Sequence, residues 1–96
     1  MKMTQLLYFK TVAEDGRISV AAKKLYVTAP AVSISISTLE RELGVPLFDR
    51  VKNRLVLNEH GQVYLQYVNQ IFDDLEKAKE AVQAVTLEKG LENNLD

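Results

Sequence analysis

Arg50, Lys52 and Arg54 place three cations within five residues, a density suited to gripping phosphates or reaching into a minor groove. Upstream, Thr28, Ser33 and Ser37 carry hydroxyls able to bond to phosphates or base edges. Ala29, Pro30 and Ile34 lie among them and suit contact with thymine methyl groups. Bond-making chemistry finds no comparable set: His60 is the only histidine, cysteine is absent and no glycine-rich phosphate loop occurs. The neighbouring carboxylates Asp73 and Asp74 point apart on a helix and lack a pocket. These residues describe a binding surface, with no catalytic residue, no metal ligand set and no cofactor.

The bulk properties frame that surface. A chain of 96 residues, 47% hydrophobic and 26% charged, fills one modest core and is too short for two independent domains. No apolar run approaches the roughly 20 residues that span a bilayer, and no secretory hydrophobic segment follows Met1-Lys2-Met3-Thr4, so a cytoplasmic protein is expected. The net charge of −1 argues, taken whole, against a polyanionic partner. The average conceals a division: residues 1–57 hold nine Lys/Arg against five Asp/Glu, residues 58–96 only three against eight. The front of the chain suits an anionic partner and the back does not.

Short helices must position the front residues. Thr4 is a cap for a first helix in which Leu6, Phe9 and Val12/Ala13 share a face until Glu14-Asp15-Gly16. Ser19 offers a cap for a second of barely two turns, with Ala22 and Leu25 inward and Lys23 and Lys24 outward. After the tight link Tyr26-Val27, Thr28 caps a third helix with Pro30 in its first turn, where a missing N–H costs nothing. Val32, Ile36, Leu39 and Leu43 form its apolar stripe, ending at Gly44. The run Val32-Ser33-Ile34-Ser35-Ile36-Ser37 also alternates with period two, as a half-buried strand would. The cap, the first-turn proline and the continuation through Leu39-Glu40-Arg41-Glu42-Leu43 all require the 3.6 period, so the helix is favoured.

Pro46 turns the chain, Leu47-Phe48 is buried, and Arg50 to Leu57 reads as a small hairpin with Lys52-Asn53-Arg54 at its tip. Asn58 caps a long helix from Glu59 to about Val85. Tyr64, Val68, Ile71, Leu75, Ala78, Val82 and Val85 follow one another at spacings of 4 and 3, a heptad seam that asks for a partner helix. Leu65, Val68 and Phe72 are placed to pack on their own domain, and residues 87–96 read as a frayed tail or hinge. The expected fold is mainly α: a winged helix-turn-helix over residues 4–58 followed by a dimerisation helix over 59–86.

The order of these motifs resembles the N-terminal part of LysR-type transcription regulators. The resemblance rests on Ala21-Ala22-Lys23-Lys24-Leu25, Thr28-Ala29-Pro30-Ala31-Val32-Ser33, Leu39-Glu40, Leu43-Gly44-Val45 and Leu47-Phe48-Asp49-Arg50, and continues through Arg54, Leu57 and Gly61 over about residues 4 to 85. It implies a third helix in the major groove of double-stranded DNA, a wing over the neighbouring backbone, and an antiparallel helix pair joining two copies on an inverted repeat. Thr28, Ala29, Pro30, Ser33, Ile34 and Ser37 then face bases, Arg50, Lys52 and Arg54 the backbone. Tyr64, Val68, Ile71, Leu75, Ala78 and Val82 are the expected homodimer contacts. A small-molecule effector would belong to a C-terminal domain absent from these residues, as in a truncated regulator.

The chain departs from that pattern at Ala29, where many members carry Gln, and at Ile34 and Ser35, where Arg, Lys or Gln is common. Fewer polar base readers leave more of the specificity to methyl contacts and DNA shape. Asn58 replaces a usual Thr, and both residues cap helices well. The acidic balance and the thinned readout also fit a rival reading, a protein-interaction module that binds through its heptad helix and has little DNA affinity.

Overall fold

The computed structural model describes residues 1–92 as α1 (Met3–Asp15), α2 (Ile18–Leu25), α3 (Ala29–Leu43), β1 (Phe48–Val51), β2 (Arg54–Leu57) and α4 (Glu59–Glu92). The run from Val32 to Ser37 is helical: Val32, Ile36 and Leu39 are buried and Ile34 faces outward, so period 3.6 prevails over local alternation. Thr28 Oγ1 accepts from the N–H of Ala31 at 3.3 Å, as an N-cap does. Thr28→Ala should lower the unfolding free energy by about 1 kcal/mol, measurable by urea titration.

The first two helix starts differ from the sequence expectation. Lys2, not Thr4, is the N-cap of α1, and its N–H donates to the Gln5 side chain at 2.7 Å. Arg17, not Ser19, is the N-cap of α2 and makes no side-chain capping bond. The link Gly16-Arg17 is too short to leave Ser19 outside the helix. Both α1 and α3 close on glycines in the left-handed region, Gly16 and Gly44.

Phe9, Val12, Val32, Leu39, Leu47 and Val68 are the largest side chains fully removed from solvent. Phe9 sits at the centre, 5.5 Å from the Phe48 ring and 5.3 Å from the Tyr64 ring, the latter edge-on. Two strands pair antiparallel, Phe48 opposite Leu57 and Val51 opposite Arg54. The turn is therefore Lys52-Asn53, with Lys52 in the left-handed region, and Arg54 already belongs to β2. A hairpin this small is marginal alone. It is stitched to the helices where the N–H of Leu55 donates to the Gly16 carbonyl at 2.8 Å.

Asn58 ends the wing and starts α4: its Oδ1 accepts from the N–H of Gly61 and its Nδ2 donates to the Pro46 carbonyl, both at 2.8 Å. The helix runs to Glu92, so residues 87–92 continue it where a frayed tail or hinge was expected; residues 93–96 of that tail lie outside the described residues. At 1.5 Å per residue, 34 residues extend about 51 Å, and the chain measures 63 × 26 × 20 Å. Val68 is buried in the same core as Phe9, and Gly61 is buried against Leu47 and Leu57. The first part of α4 thus packs into the core of the winged domain.

Candidate nucleic-acid interface

The helix-turn-helix sets α3 across α2 through Ala21 and Ala22, both buried, and this close crossing turns the opposite face of α3 outward. Pro30, Ile34, Ser37 and Arg41 are exposed along that face, and Thr28 is exposed at its start. Ile34 is 67% exposed and packs against nothing in the core. Ala29 and Ser33 are half-buried, Ala29 because it rests against the core cluster. All six expected base-facing residues lie in the first three turns of α3, but these two offer only part of their surface.

The wing stands beside that face. A cleft between them is lined by polar Ser33, Ser37, Glu40 and Arg50 and by apolar Ile18, Ile36, Phe48 and Leu55. A second concavity gathers Arg17, Ser19, Arg50, Asn53 and Arg54 around the start of α2. Arg50, Lys52 and Arg54 are exposed as expected. Arg54 also donates to the Asp15 carbonyl at 3.2 Å, so part of its guanidinium braces the wing against α1.

Arg17 is the residue that sequence reasoning missed. It lies 33 residues before Arg50, and only the fold brings the two together. Three arginines around the first N–H groups of an α-helix make a strongly anion-attracting corner, since unpaired N–H groups and the helix dipole act in the same direction. Lys24, by contrast, is bound to Asp15 at 2.8 Å. The hydrogen bond to that carboxylate and its charge hold the ammonium above its ordinary pKa, so Lys24 stays protonated and its charge is already paired.

The far end of the molecule carries the second expected site. Val68 is fully buried and packs on its own domain, so it is not an interface residue. Tyr64 is half-buried against Phe9, and burial together with the nearby Glu42 charge raises its phenol pKa. Ile71, Leu75, Ala78 and Val82 are exposed, together with Val63, Tyr67 and Val85. At about 100° per residue these seven form one stripe, roughly 90° around α4 from the core-facing row of Gly61, Val68 and Phe72. The free stripe therefore begins at Val63 and Tyr67 instead of Tyr64 and Val68. It runs into an apolar groove between α3 and α4 lined by Leu43, Val45, Leu47, His60, Val63 and Tyr67.

Among the described residues no helix is long and apolar enough to cross a membrane, and no cluster of metal-ligating side chains occurs. Residues 3–62 match the family model described as bacterial regulatory helix-turn-helix protein, lysR family. A curated relative, the uncharacterized HTH-type transcriptional regulator YybE of Bacillus subtilis, is 42% identical over 85 residues, 88% of this chain and 29% of that protein. The chain spans less than a third of the length of the first curated relatives it matches. Among solved structures, the CbnR_DBD–DNA complex superposes with a TM-score of 0.83 at 31% identity, covering 90% of this chain and 99% of that one. The BenM_DBD/benA site 1 DNA complex superposes with a TM-score of 0.84 at 27% identity, covering 88% and 99%. With its helix-turn-helix, two-stranded wing and long following helix, this chain belongs to the LysR family of bacterial helix-turn-helix regulatory proteins.

Proposed function

We propose that the chain is the DNA-reading and subunit-joining part of a transcription regulator, binding an inverted-repeat operator as a homodimer. The observation that carries this reading is the placement of the exposed α3 face beside a corner holding Arg17, Arg50 and Arg54. In it, α3 enters the major groove, where Thr28, Pro30, Ile34 and Ser37, with the accessible parts of Ala29 and Ser33, face base edges and thymine methyls. Arg50, Lys52 and Arg54 hold the flanking backbone, and Arg17 adds a phosphate contact at the start of α2. Residues 4–58 supply the reading surface, and α4 from Ile71 to Val82 joins the subunits. The role is binding, and a cytoplasmic location follows from a chromosomal partner. Binding of a small-molecule effector is assigned to the part of such regulators that this chain does not span.

The test is fluorescence anisotropy on sites selected from a randomised inverted-repeat pool, followed by a salt titration of the unsubstituted chain and an Arg50→Ala/Lys52→Ala variant. Arg54 is kept because it braces Asp15. The variant should bind every sequence at least tenfold more weakly, and its log–log salt slope should flatten by roughly 0.9 for each phosphate that a subunit no longer neutralises. An unchanged affinity and slope would remove the wing from the mechanism. Sequence-blind, weak binding by a folded, dimeric unsubstituted chain would instead favour the interaction-module reading, to which the acidic, apolar-striped α4 lends itself.

A further inference from the structure

Among the described residues Tyr26 is the most exposed of the large hydrophobic side chains, with 95% of its surface in solvent, and its backbone is left-handed at φ 58° and ψ 39°. It closes α2, its N–H donating to the Lys23 carbonyl at 3.3 Å, and any residue performs that backbone task. Glycine and asparagine enter this conformation far more readily than an aromatic residue. A strained backbone under a side chain that packs on nothing contributes nothing evident to folding. Strain kept in this way points to use of the side chain elsewhere.

The position names the use. Tyr26 lies two residues before the cap Thr28 and four before Pro30, in the turn that leads directly into the exposed face of α3, and its side chain is in solvent. Lys23 beside it is exposed and makes no ion pair within 4.0 Å among the described residues. A phenol carries a hydroxyl donor on a flat apolar body, a shape suited to bonding a phosphate oxygen while the ring lies along the sugars. We propose that Tyr26 is a DNA backbone contact that fixes the depth and register of α3 in the groove, and that the protein retains a strained turn to keep it. The inference rests on the DNA-binding reading above.

Three chains separate the possibilities: the unsubstituted protein, Tyr26→Phe and Tyr26→Asn, each titrated against a selected inverted-repeat site and a scrambled duplex, with thermal unfolding at fixed concentration. Tyr26→Phe should unfold at the unsubstituted temperature, having the same backbone strain, yet bind both duplexes on the order of tenfold more weakly through two symmetry-related hydroxyls. Its salt slope should be unchanged, since no charge is removed. Tyr26→Asn should bind at least as weakly and unfold at a higher temperature. Wild-type affinity in Tyr26→Phe and Tyr26→Asn, from a parent that itself binds, overturns the proposal and leaves the DNA-binding reading standing. Loss confined to the selected site overturns it as well, because that marks base recognition. Failure of the unsubstituted chain to bind either duplex defeats the DNA-binding reading itself.

Discussion

Replacing Ile71 and Leu75 together by Asp should convert the chain from dimer to monomer and weaken operator binding by roughly 10²–10⁴, the factor that linking two modest half-site interactions supplies. Both side chains lie on the free stripe of α4, 39% and 51% exposed, and neither touches the core. In a paired arrangement they meet their counterparts across the twofold axis, so the double variant brings four carboxylates into an apolar seam. Burying unpaired charges costs several kcal/mol, more than a helix–helix contact of this length returns. Light scattering measures the mass, and circular dichroism checks that the winged domain remains folded. Val68→Asp is the informative contrast: Val68 is fully buried beside Phe9, so that variant should unfold the domain outright. A double variant that stays dimeric would refute the seam.

Val68 and Ile71 also show what the sequence can and cannot disclose. Spacings of 4 and 3 identify apolar positions on a helix, but they do not show how far along that helix its own domain reaches. Heptad counting runs straight from Tyr64 and Val68, which the winged domain covers, into Ile71 and Leu75, which are exposed on nearly the same side further along. Only the position of Phe9, more than fifty residues earlier, shows which of these residues are covered. Signals carried by a few neighbouring residues were readable in full: the Thr28 cap with Pro30 behind it, the Asn58 cap and Gly44 at the end of α3; the hairpin was readable in kind, but its first strand starts at Phe48 instead of Arg50 and its turn excludes Arg54. Arg17 was not readable, because nothing near it in sequence marks it as a partner of Arg50. The cap assignments at Thr4 and Ser19 failed for a related reason. Side-chain preference sets the energy of a cap, whereas the start of a helix is set by packing, here Phe9 and Val12 for α1 and the short Gly16-Arg17 link for α2.

In the proposed dimer, the exposed face of α3 and the free stripe of α4 share one mechanical dependency, since α4 must leave the winged domain at a fixed angle for two copies of α3 to meet successive major grooves. Gly61, where α4 packs on Leu47, is expected to fix that angle, and Gly61→Ala should be strongly destabilising. A methyl group there would collide with the Leu47 carbonyl oxygen and come within 2.7 Å of Leu57 Cδ2. Leu47 has little room to retreat: its N–H donates to Glu40 Oε2 at 2.6 Å, its carbonyl accepts from the N–H of Asn58 at 3.0 Å, and its side chain is 1% exposed. Alanine gains about 1 kcal/mol over glycine in a helix, yet overpacking against fixed backbone typically costs as much or more, up to about 3 kcal/mol or beyond. With a carbonyl oxygen as the obstacle, the upper end applies, and a net loss of about 2 kcal/mol lowers the melting temperature by roughly 8–16 °C at constant protein concentration. Gly44→Ala is the control, because that glycine has a φ of 77° and open space around its Cβ direction. It should lose only about 1 kcal/mol, from backbone conformation alone, and leave operator affinity intact. A Gly61→Ala protein as stable as its parent would mean that α4 does not approach Leu47 this closely, and the exit angle would then have to be set elsewhere along Asn58 to Val68. If instead the variant folds at low temperature but prefers half-sites moved to a different separation, the contact at Gly61 is what sets the operator spacing.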